Sequence, residues 1–297
     1  NISVASEPAA LTRSKIDRDT HNSENPYTPT AACPTDNPRC DRHPRSMTQA
    51  RSQLVPPGAD GYYHCVQRCV RRAFLCGVDH YTGKSFEHRK AWVEQRLGLL
   101  AECFAVSIHA YAVMSNHLHL VLQLVPGAAA VWSDAEVAAR WVRLFPPRQD
   151  SDEAVDAKCR RLIADTERLA IIRSRLSDLS WLMRCLAEPI ARAANREDRC
   201  KGRFWEGRFK AQRLCDERAL LAAMAYVDLN PVRAGIAQRL EDSAHTSVAA
   251  RMAQAEQTRE ALGAGLGPIL GVLRPPLAIT TADYLQLLDW TGRQPAP

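Results

Sequence analysis

The segment Ala112–Leu122 constrains the fold more than any other part of the sequence. Apolar and polar residues alternate along it with a period of two, and Val and Leu are frequent, which predicts a half-buried β-strand with a tight turn at Ser115–Asn116. Residues two apart on a strand share a face, so His117 and His119 should lie side by side. Two imidazoles about 7 Å apart along a strand can share one metal ion. The alternative is a pair of half-buried histidines with ordinary hydrogen-bond partners, and the strand alone does not decide between the two.

Composition limits the classes of protein to which the chain can belong. With 297 residues, 46% of them hydrophobic and 24% charged, it is long enough to bury a core and to form one or two domains. It contains no run of about 18 apolar residues and no basic-then-apolar start, so we expect a cytoplasmic protein with reduced cysteines, neither inserted in a membrane nor exported. The net charge of +6 is only mildly basic. Evidence for nucleic-acid binding therefore has to come from local clusters of charge.

The N-terminal 57 residues differ in composition from the remainder of the chain. Pro, Ser, Thr, Asn, Arg and Asp are frequent there without periodicity, which predicts a disordered tail over residues 1–57. Met47 is the first methionine. One interpretation is that the natural chain starts at Met47 and residues 1–46 come from upstream translation; the other is that the whole tail belongs to the protein.

The next part of the chain alternates predicted strands and helices. Strands are expected at Tyr62–Val70 and Val106–Val113, the latter forming an antiparallel hairpin with the histidine strand. Helices are expected over residues 85–103, 134–145, 153–175 and 179–196, with a kink at Pro189 in the last. In the first helix Arg89 and Lys90 fall on the side predicted to face solvent. The helical stretch at about 126–177 carries no chemical motif.

Positive charge is concentrated between residues 199 and 213. The basic residues there are Arg199, Lys201, Arg203, Arg208, Lys210 and Arg213, against the single acid Glu206, and the interleaved aromatic residues are Phe204, Trp205 and Phe209. Read as a strand, the segment directs Arg208, Lys210 and Gln212 to one face and Phe209 and Ala211 to the other. Basic and aromatic residues together are typical of a groove that holds phosphates and stacks unpaired bases. The alternative is an edge strand protected by Lys and Arg against aggregation.

A helix is predicted to begin at Asp216, which suits an N-cap, and to end at Asn230 because Pro231 disfavours helix at the preceding residue. Tyr226 and Asn230 are four residues apart and share a face of this helix. Such a polar stripe among Ala and Leu needs a partner, although a core tyrosine with a locally bonded hydroxyl would account for Tyr226 alone.

Three motifs in this order resemble the single-tyrosine HUH transposases, most closely their REP-associated branch. They are His117-Leu118-His119 on a strand, the basic segment Gly202–Lys210, and Tyr226–Gly235 at the end of the late helix. The resemblance covers residues of about 60–125 and 178–240. It implies an α/β (α+β) fold with a ferredoxin-like antiparallel sheet and packed helices. It also implies that His117, His119 and Asn230 bind a metal and that Tyr226 is the nucleophile.

The resemblance also implies a domain organisation and a set of partners. A transposase domain would span residues 58–240, interrupted by the helical insertion, with a C-terminal helical extension over 241–297. The partner would be single-stranded or hairpin DNA from palindromic repeat elements, which makes the protein nucleoid-associated, and the protein could form a homodimer. The residues predicted to contact DNA are Arg203, Phe204, Trp205, Arg208, Phe209, Lys210, Arg213, Arg68 and Arg71.

The chemistry of these residue types fits that activity. A phenol with a pKa near 10 is a poor nucleophile at neutral pH, and a divalent cation helps by polarising the phosphate. Two imidazoles and an amide oxygen suit Mg²⁺ or Mn²⁺ better than a closed zinc site. Other candidate nucleophiles, Tyr284, Tyr111 and the Tyr62–Tyr63 pair, have no metal-ligand candidate one helical turn away. The expected product is a covalent 5′-phosphotyrosine.

Other classes of protein are less compatible with the sequence. Val121 stands where a histidine-triad hydrolase would need His and where an H-x-H-x-D metallohydrolase would need Asp. A replication initiator of the wider HUH group would place the tyrosine helix differently in the chain. The main rival is a DNA-hairpin-binding protein descended from a transposase that has lost catalysis.

Overall fold

The computed structural model describes residues 54–56, 58–70, 74–79, 81–258, 260–272 and 274–293. The disordered tail predicted over residues 1–57, apart from 54–56, lies outside these residues. Met47 as a start and Arg71 as a DNA contact lie outside them too.

Within the described residues the sheet has five antiparallel strands. They are β1 (Gly61–Arg68), β2 (Val106–Val113), β3 (His117–Leu124), β4 (Lys210–Leu214) and β5 (Leu270–Gly271), in the spatial order β4-β1-β3-β2-β5. The first four strands have the order of a ferredoxin-like sheet, with helices between β1 and β2 and between β3 and β4. This confirms the predicted fold class, and the predicted hairpin is the pair β2–β3.

Helices cover both faces of the sheet. They are α1 (Arg89–Cys103), α2 (Pro126–Val131), α3 (Asp134–Leu144), α4 (Asp152–Ala164), α5 (Thr166–Arg175), α6 (Leu179–Glu197), α7 (Glu217–Arg233), α8 (Ser247–Gln257), α9 (Glu260–Gly263) and α10 (Thr281–Gly292). Tyr63 and Cys65 of β1 pack into one apolar layer with α1 and α3–α6. Ala110 and Ala112 of β2 pack into a second layer with α7, α8 and α10. Successive side chains of a strand point to opposite faces, and both faces of the sheet are covered here. All eight residues of β2 are therefore buried.

The helix boundaries differ from the prediction in two places. The helix expected over 153–175 is two helices, because Asp165 leaves the helical conformation and caps α5 by accepting the Arg168 N–H. The late helix does not stop before Pro231 but continues through it to Arg233. Its end is set by Gly235 at a φ of +67°, where the Ile236 N–H bonds to the Pro231 carbonyl. A glycine in the left-handed region closes a helix in this way at little steric cost.

The start of α1 also differs from the prediction. The helix begins at Arg89 and not at Ser85. Arg89 and Lys90, expected to face solvent, are 0% and 8% exposed. The expectation was wrong because both cations are paired at the helix start, Arg89 with Glu197 and Lys90 with Glu87.

The C-terminal residues complete both the sheet and one helical layer. β5 pairs with β2, and a Cβ on Gly271 would collide with the Val106 carbonyl oxygen, so this position requires glycine. The packing helix expected near Thr281–Trp290 is α10, which contacts α7. No helix among the described residues is both long and apolar enough to span a membrane. The domain boundaries stay a prediction.

Candidate functional site

Three histidines share one face of the sheet. In the β1–β3 register Arg68 lies opposite His117, and Val66 opposite His119. The ring centroids of His117 and His119 are 4.7 Å apart, so the predicted pair is brought together. The third histidine is His64 of β1, whose ring stacks on that of His119 at 5.2 Å. His64 was not predicted as a site residue; its only signal in the sequence was its place in the period-two pattern of β1.

Hydrogen bonds fix the orientation of these rings. His117 Nδ1 is 2.6 Å from Asn116 Oδ1 in the turn between β2 and β3. Because that oxygen can only accept, His117 carries its proton on Nδ1 and keeps a lone pair on Nε2. His119 Nδ1 is 3.0 Å from His64 Nε2. Each of the two predicted histidine ligands thus has its Nδ1 bonded to a neighbouring side chain.

Burial keeps the three imidazoles neutral. It lowers the pKa of His64 and of His117 to about 4, and the Arg68 charge contributes at His117. Burial lowers the pKa of His119 further, to about 2, with contributions from His117 and His64. Neutral imidazole is the form that can bind a metal ion.

These shifts predict a strong dependence of stability on pH in metal-free protein. His64 and the equally buried His109 both have a pKa lowered from 6.5 to about 4, mainly by burial. Between these values the unfolded chain is protonated and the native chain is not, so the free energy of unfolding falls as the pH falls. From pH 8 to pH 5 we expect a loss of about 2 kcal/mol for each of these two histidines.

Denaturant unfolding at several pH values measures this loss. His109→Gln should remove the contribution of one histidine and flatten the profile. An unfolding free energy that is unchanged between pH 8 and pH 5 would contradict the assignment of neutral, buried rings.

Helix α7 brings Tyr226 and Asn230 to the histidines. The Tyr226 ring lies edge-on to His119 at 5.7 Å and to His64 at 5.9 Å between centroids. Asn230 follows one turn later, with its side-chain Nδ2 3.5 Å from His119 Nε2. The helix starts where predicted because Asp216 accepts the Ala219 N–H at 2.7 Å. The four residues predicted to carry the chemistry are therefore neighbours.

The opposite side of α7 is held by a buried carboxylate. Asp228 is 0% exposed and accepts hydrogen bonds from the Ser247 hydroxyl and the Val248 N–H of α8. It also accepts one from the Tyr284 hydroxyl of α10 at 2.7 Å. Burial raises the pKa of Asp228 against the effect of these donors. The network fixes the rotation of α7, and with it the direction of Tyr226.

The competing tyrosines are placed differently. Tyr63 and Tyr284 are fully buried, and Tyr111 is 5% exposed with its hydroxyl bonded to Glu94. Tyr62 is half-buried against His109, with a ring-centroid distance of 5.7 Å. The tyrosine ring that contacts the His119 ring is that of Tyr226.

The basic segment forms an outer edge of the sheet beside the histidines. Val66 pairs with Lys210 of β4 on one side and with His119 of β3 on the other. Lys210 therefore lies on the histidine face, two strands from His119, while Arg213, opposite Tyr63, is on the other face. The basic residues exposed between residues 199 and 213 and at the end of β1 are Arg68, Arg199, Lys201, Arg203, Arg208, Lys210 and Arg213.

The aromatic residues of the segment are mostly covered. Phe204 and Phe209 are 3% and 7% exposed and belong to the apolar layer beneath α1 and α6. Trp205 is half-buried, and its indole N–H bonds to the Ala187 carbonyl at 2.8 Å. A base could stack on the two phenylalanines only if this part of the core opened. The segment thus offers exposed cations and one partly accessible ring.

The side chains around His119 include possible ligands for a divalent cation. The part of the chain that the structure describes holds no cluster of three or more His, Cys, Asp or Glu side chains suited to a metal. The predicted ligands form a different set, two imidazoles and an amide. His119 Nε2 and the Asn230 side chain are 3.5 Å apart. The 3.5 Å distance involves the amide nitrogen, which does not bind metals, so the fit rests on chemistry: two neutral imidazole nitrogens and the oxygen of the Asn230 amide are donors that a divalent cation accepts.

Comparisons with known proteins gave one structural match. No family model matches the chain, and no curated protein matches it. A solved structure of a REP-associated tyrosine transposase bound to a REP hairpin matches over 76% of this chain and 92% of that chain. The sequence identity is 12% and the TM-score 0.35, which is at most a distant relationship.

Proposed function

We propose that the protein is a transposase-like single-strand DNA endonuclease that cuts and rejoins single-stranded or hairpin DNA through Tyr226. The observation that supports this most directly is the arrangement at α7. Tyr226 lies 5.7 Å from the His119 ring, and Asn230, one helical turn later, reaches the Nε2 atom of that same histidine. A nucleophile beside a set of neutral metal ligands is the arrangement that phosphoryl transfer requires.

The reaction is a transesterification. The Tyr226 oxygen attacks the scissile phosphorus, a phosphorus–oxygen bond to the tyrosine forms, and the bond to the 3′ oxygen breaks. The phenolic proton passes to solvent, and the departing 3′ oxygen takes up a proton. The products are a covalent 5′-phosphotyrosine and a free 3′-hydroxyl. Because the phosphodiester bond energy is conserved, a 3′-hydroxyl can reverse the attack and rejoin a strand without ATP.

His117, His119 and Asn230 would hold Mg²⁺ or Mn²⁺. When bound, the cation polarises the scissile phosphate and offsets charge in the transition state. The chain's own contribution is orientation. Asn116 holds the His117 ring through Nδ1, and Asp228 holds α7 from the opposite side. The sheet and α7 thereby keep the ligands and the nucleophile in a fixed relation.

Exposed cations beside the site would bind the DNA strand. Arg68 pairs with His117 in the sheet register, and Lys210 shares the face of His119. Phosphate contacts from such side chains give affinity without sequence preference and position the strand over the nucleophile. Trp205 is the ring of the segment with accessible surface for a base. A homodimer stays a prediction.

Lys210 and Arg213 form a matched pair for testing this interface. Both are exposed on β4, but they point to opposite faces. Lys210→Ala should weaken binding to any single-stranded oligonucleotide and lower the slope of log affinity against log salt concentration by about 0.7. Arg213→Ala should leave that slope close to the wild-type value. Fluorescence anisotropy at four salt concentrations measures both. Equal effects of the two variants on the slope would show that DNA binding does not depend on which face of β4 carries the cation.

The proposed activity is tested with a labelled hairpin oligonucleotide from the DNA that flanks the coding region. With Mn²⁺ or Mg²⁺, the wild-type chain should form a protein–DNA adduct that survives denaturing electrophoresis. With EDTA the adduct should disappear while binding remains. A chain that binds the hairpin tightly but never forms the adduct with either metal would instead be a DNA-hairpin-binding protein without catalysis.

A further inference from the structure

His64 is the imidazole at this site to which the proposed mechanism assigns no role. It is 8% exposed, and its place in β1 puts it opposite Val121 of β3 and Gln212 of β4. Its ring lies almost parallel to that of His119, with an interplanar angle of 22°. A buried polar ring costs free energy unless its nitrogens are bonded. One hydrogen bond of the His64 ring joins its Nε2 and His119 Nδ1, which are 3.0 Å apart.

The protons on these rings can be assigned from their neighbours. The Asn230 side chain faces His119 Nε2 through its Nδ2, a donor, so Nε2 must present a lone pair. A neutral His119 then carries its proton on Nδ1 and donates it to His64. His64 Nε2 must accept, which puts the proton of His64 on its own Nδ1. Each assignment follows from the previous one, and all three rings remain neutral.

We infer that His64 is a positioning residue: it accepts the Nδ1–H of His119 and thereby holds that ring in the tautomer and orientation that direct Nε2 toward a divalent cation. The inference rests on the proposed function, because it assigns the metal to that site. His64 does not bind the cation itself, since its Nε2 is used by His119. A histidine ligand that donates its other N–H to a neighbour is a common arrangement at metal sites, and loss of the neighbour weakens metal affinity about 10- to 100-fold.

The same arrangement occurs at the other proposed ligand. Asn116 accepts the Nδ1–H of His117 at 2.6 Å, and so leaves His117 Nε2 with its lone pair. The two ligands lie next to each other on one face of β3 but are oriented by different elements. His117 is oriented from the hairpin turn and His119 from β1. A chance contact would orient one ring; here both rings have Nδ1 bonded to a neighbour.

The test measures metal affinity and not cleavage, because the Tyr226 ring also lies close to His64, at 5.9 Å. Mn²⁺ binding to the metal-free, DNA-free protein is followed by electron paramagnetic resonance of the free ion. His64→Phe keeps a ring but has no acceptor, and we expect affinity to fall about 10- to 100-fold. His64→Gln retains an amide oxygen that can reach His119 Nδ1, and affinity should stay close to wild type. Circular dichroism confirms that each variant is folded.

A second measurement reads the tautomer directly. Long-range ¹H–¹⁵N spectra of the histidine rings should show His119 protonated on Nδ1 in the wild type and in His64→Gln. In His64→Phe the signals should move toward the other tautomer or an average of the two. Tyr81→Phe, which changes a fully exposed side chain, should bind Mn²⁺ as the wild type does.

The outcomes separate this inference from the proposed function. If the wild type forms the DNA adduct but His64→Phe binds Mn²⁺ with wild-type affinity, His64 has no positioning role and the proposed function stands. If His64→Phe and His64→Gln lose affinity equally, the hydrogen bond is not the cause and the inference is wrong. If the wild type binds no Mn²⁺, the metal assignment fails and this inference fails with it, while adduct formation still reports on Tyr226.

Discussion

Tyr226→Phe is expected to abolish the covalent protein–DNA adduct, with a loss of about 10⁴-fold or more in the rate of its formation, because the variant has no nucleophilic oxygen. The substitution removes one hydroxyl and keeps the ring that lies edge-on to His119 and His64. Asp228 anchors α7 from its other side through hydrogen bonds that the substitution leaves in place. Binding of the hairpin should therefore remain close to wild type in an anisotropy titration.

Two further tyrosines provide controls for this result. Tyr81→Phe changes a fully exposed side chain and should leave adduct formation unchanged. Tyr284→Phe removes the hydroxyl that bonds to Asp228, so it should lower the free energy of unfolding by about 1 to 3 kcal/mol without abolishing the adduct. An adduct that persists in Tyr226→Phe would contradict the assignment, and peptide mapping of the labelled fragment would identify the true nucleophile.

The strands could be predicted from the sequence because their pattern is local. The period of two places β2 at the predicted residues Val106–Val113. It also puts His117 and His119 on one face, whatever the neighbouring strand is. The helical pattern likewise brings Tyr226 and Asn230 to one side of α7, and the cap at Asp216 marks its start.

Helix ends were harder to predict because single residues decide them. Asp165 can continue a helix or cap the next one, and the choice depends on how α4 and α5 pack. Pro231 disfavours helix before it, but the bond from the Ile236 N–H to its carbonyl and the left-handed Gly235 stabilise one more turn. The local sequence favours some helix ends over others, and tertiary contacts decide which of them forms.

The rest of the site depends on pairing between distant segments. His64 and His119 are 55 residues apart, and their hydrogen bond follows from the β1–β3 register. The register is set by which side chains of the paired strands are buried on each face of the sheet. The sequence of one strand alone does not contain that information. The same holds for Phe204 and Phe209, whose rings complete an apolar layer built from α1 and α6. A basic and aromatic composition alone does not distinguish a stacking surface from a core.

Arg89 is another residue whose surroundings depend on distant segments of the chain, and its substitution has the largest expected effect on stability. It was predicted to face solvent, but it is 0% exposed, and its guanidinium joins the start of α1 to the end of α6. Nε donates to Glu197 at 2.9 Å, and a terminal nitrogen donates to the Phe74 carbonyl at 2.7 Å. The guanidinium also lies 4.2 Å from the Phe86 ring centroid. The planar guanidinium group has several N–H donors and satisfies all these partners. The single ammonium group of Lys could not do so.

Arg89→Met should therefore lower the free energy of unfolding by about 3 kcal/mol, near the lower end for breaking a buried ion pair, because Glu197 and Asp198 are partly exposed and can regain water. Lys84→Met is the matched control. Lys84 pairs with the same Glu197, but its side chain is 45% exposed, so its loss should cost less than about 1 kcal/mol. Denaturant unfolding at pH 7 measures both. Similar small effects for the two variants would mean that apolar packing between the two helices, and not the guanidinium, holds α1 to α6.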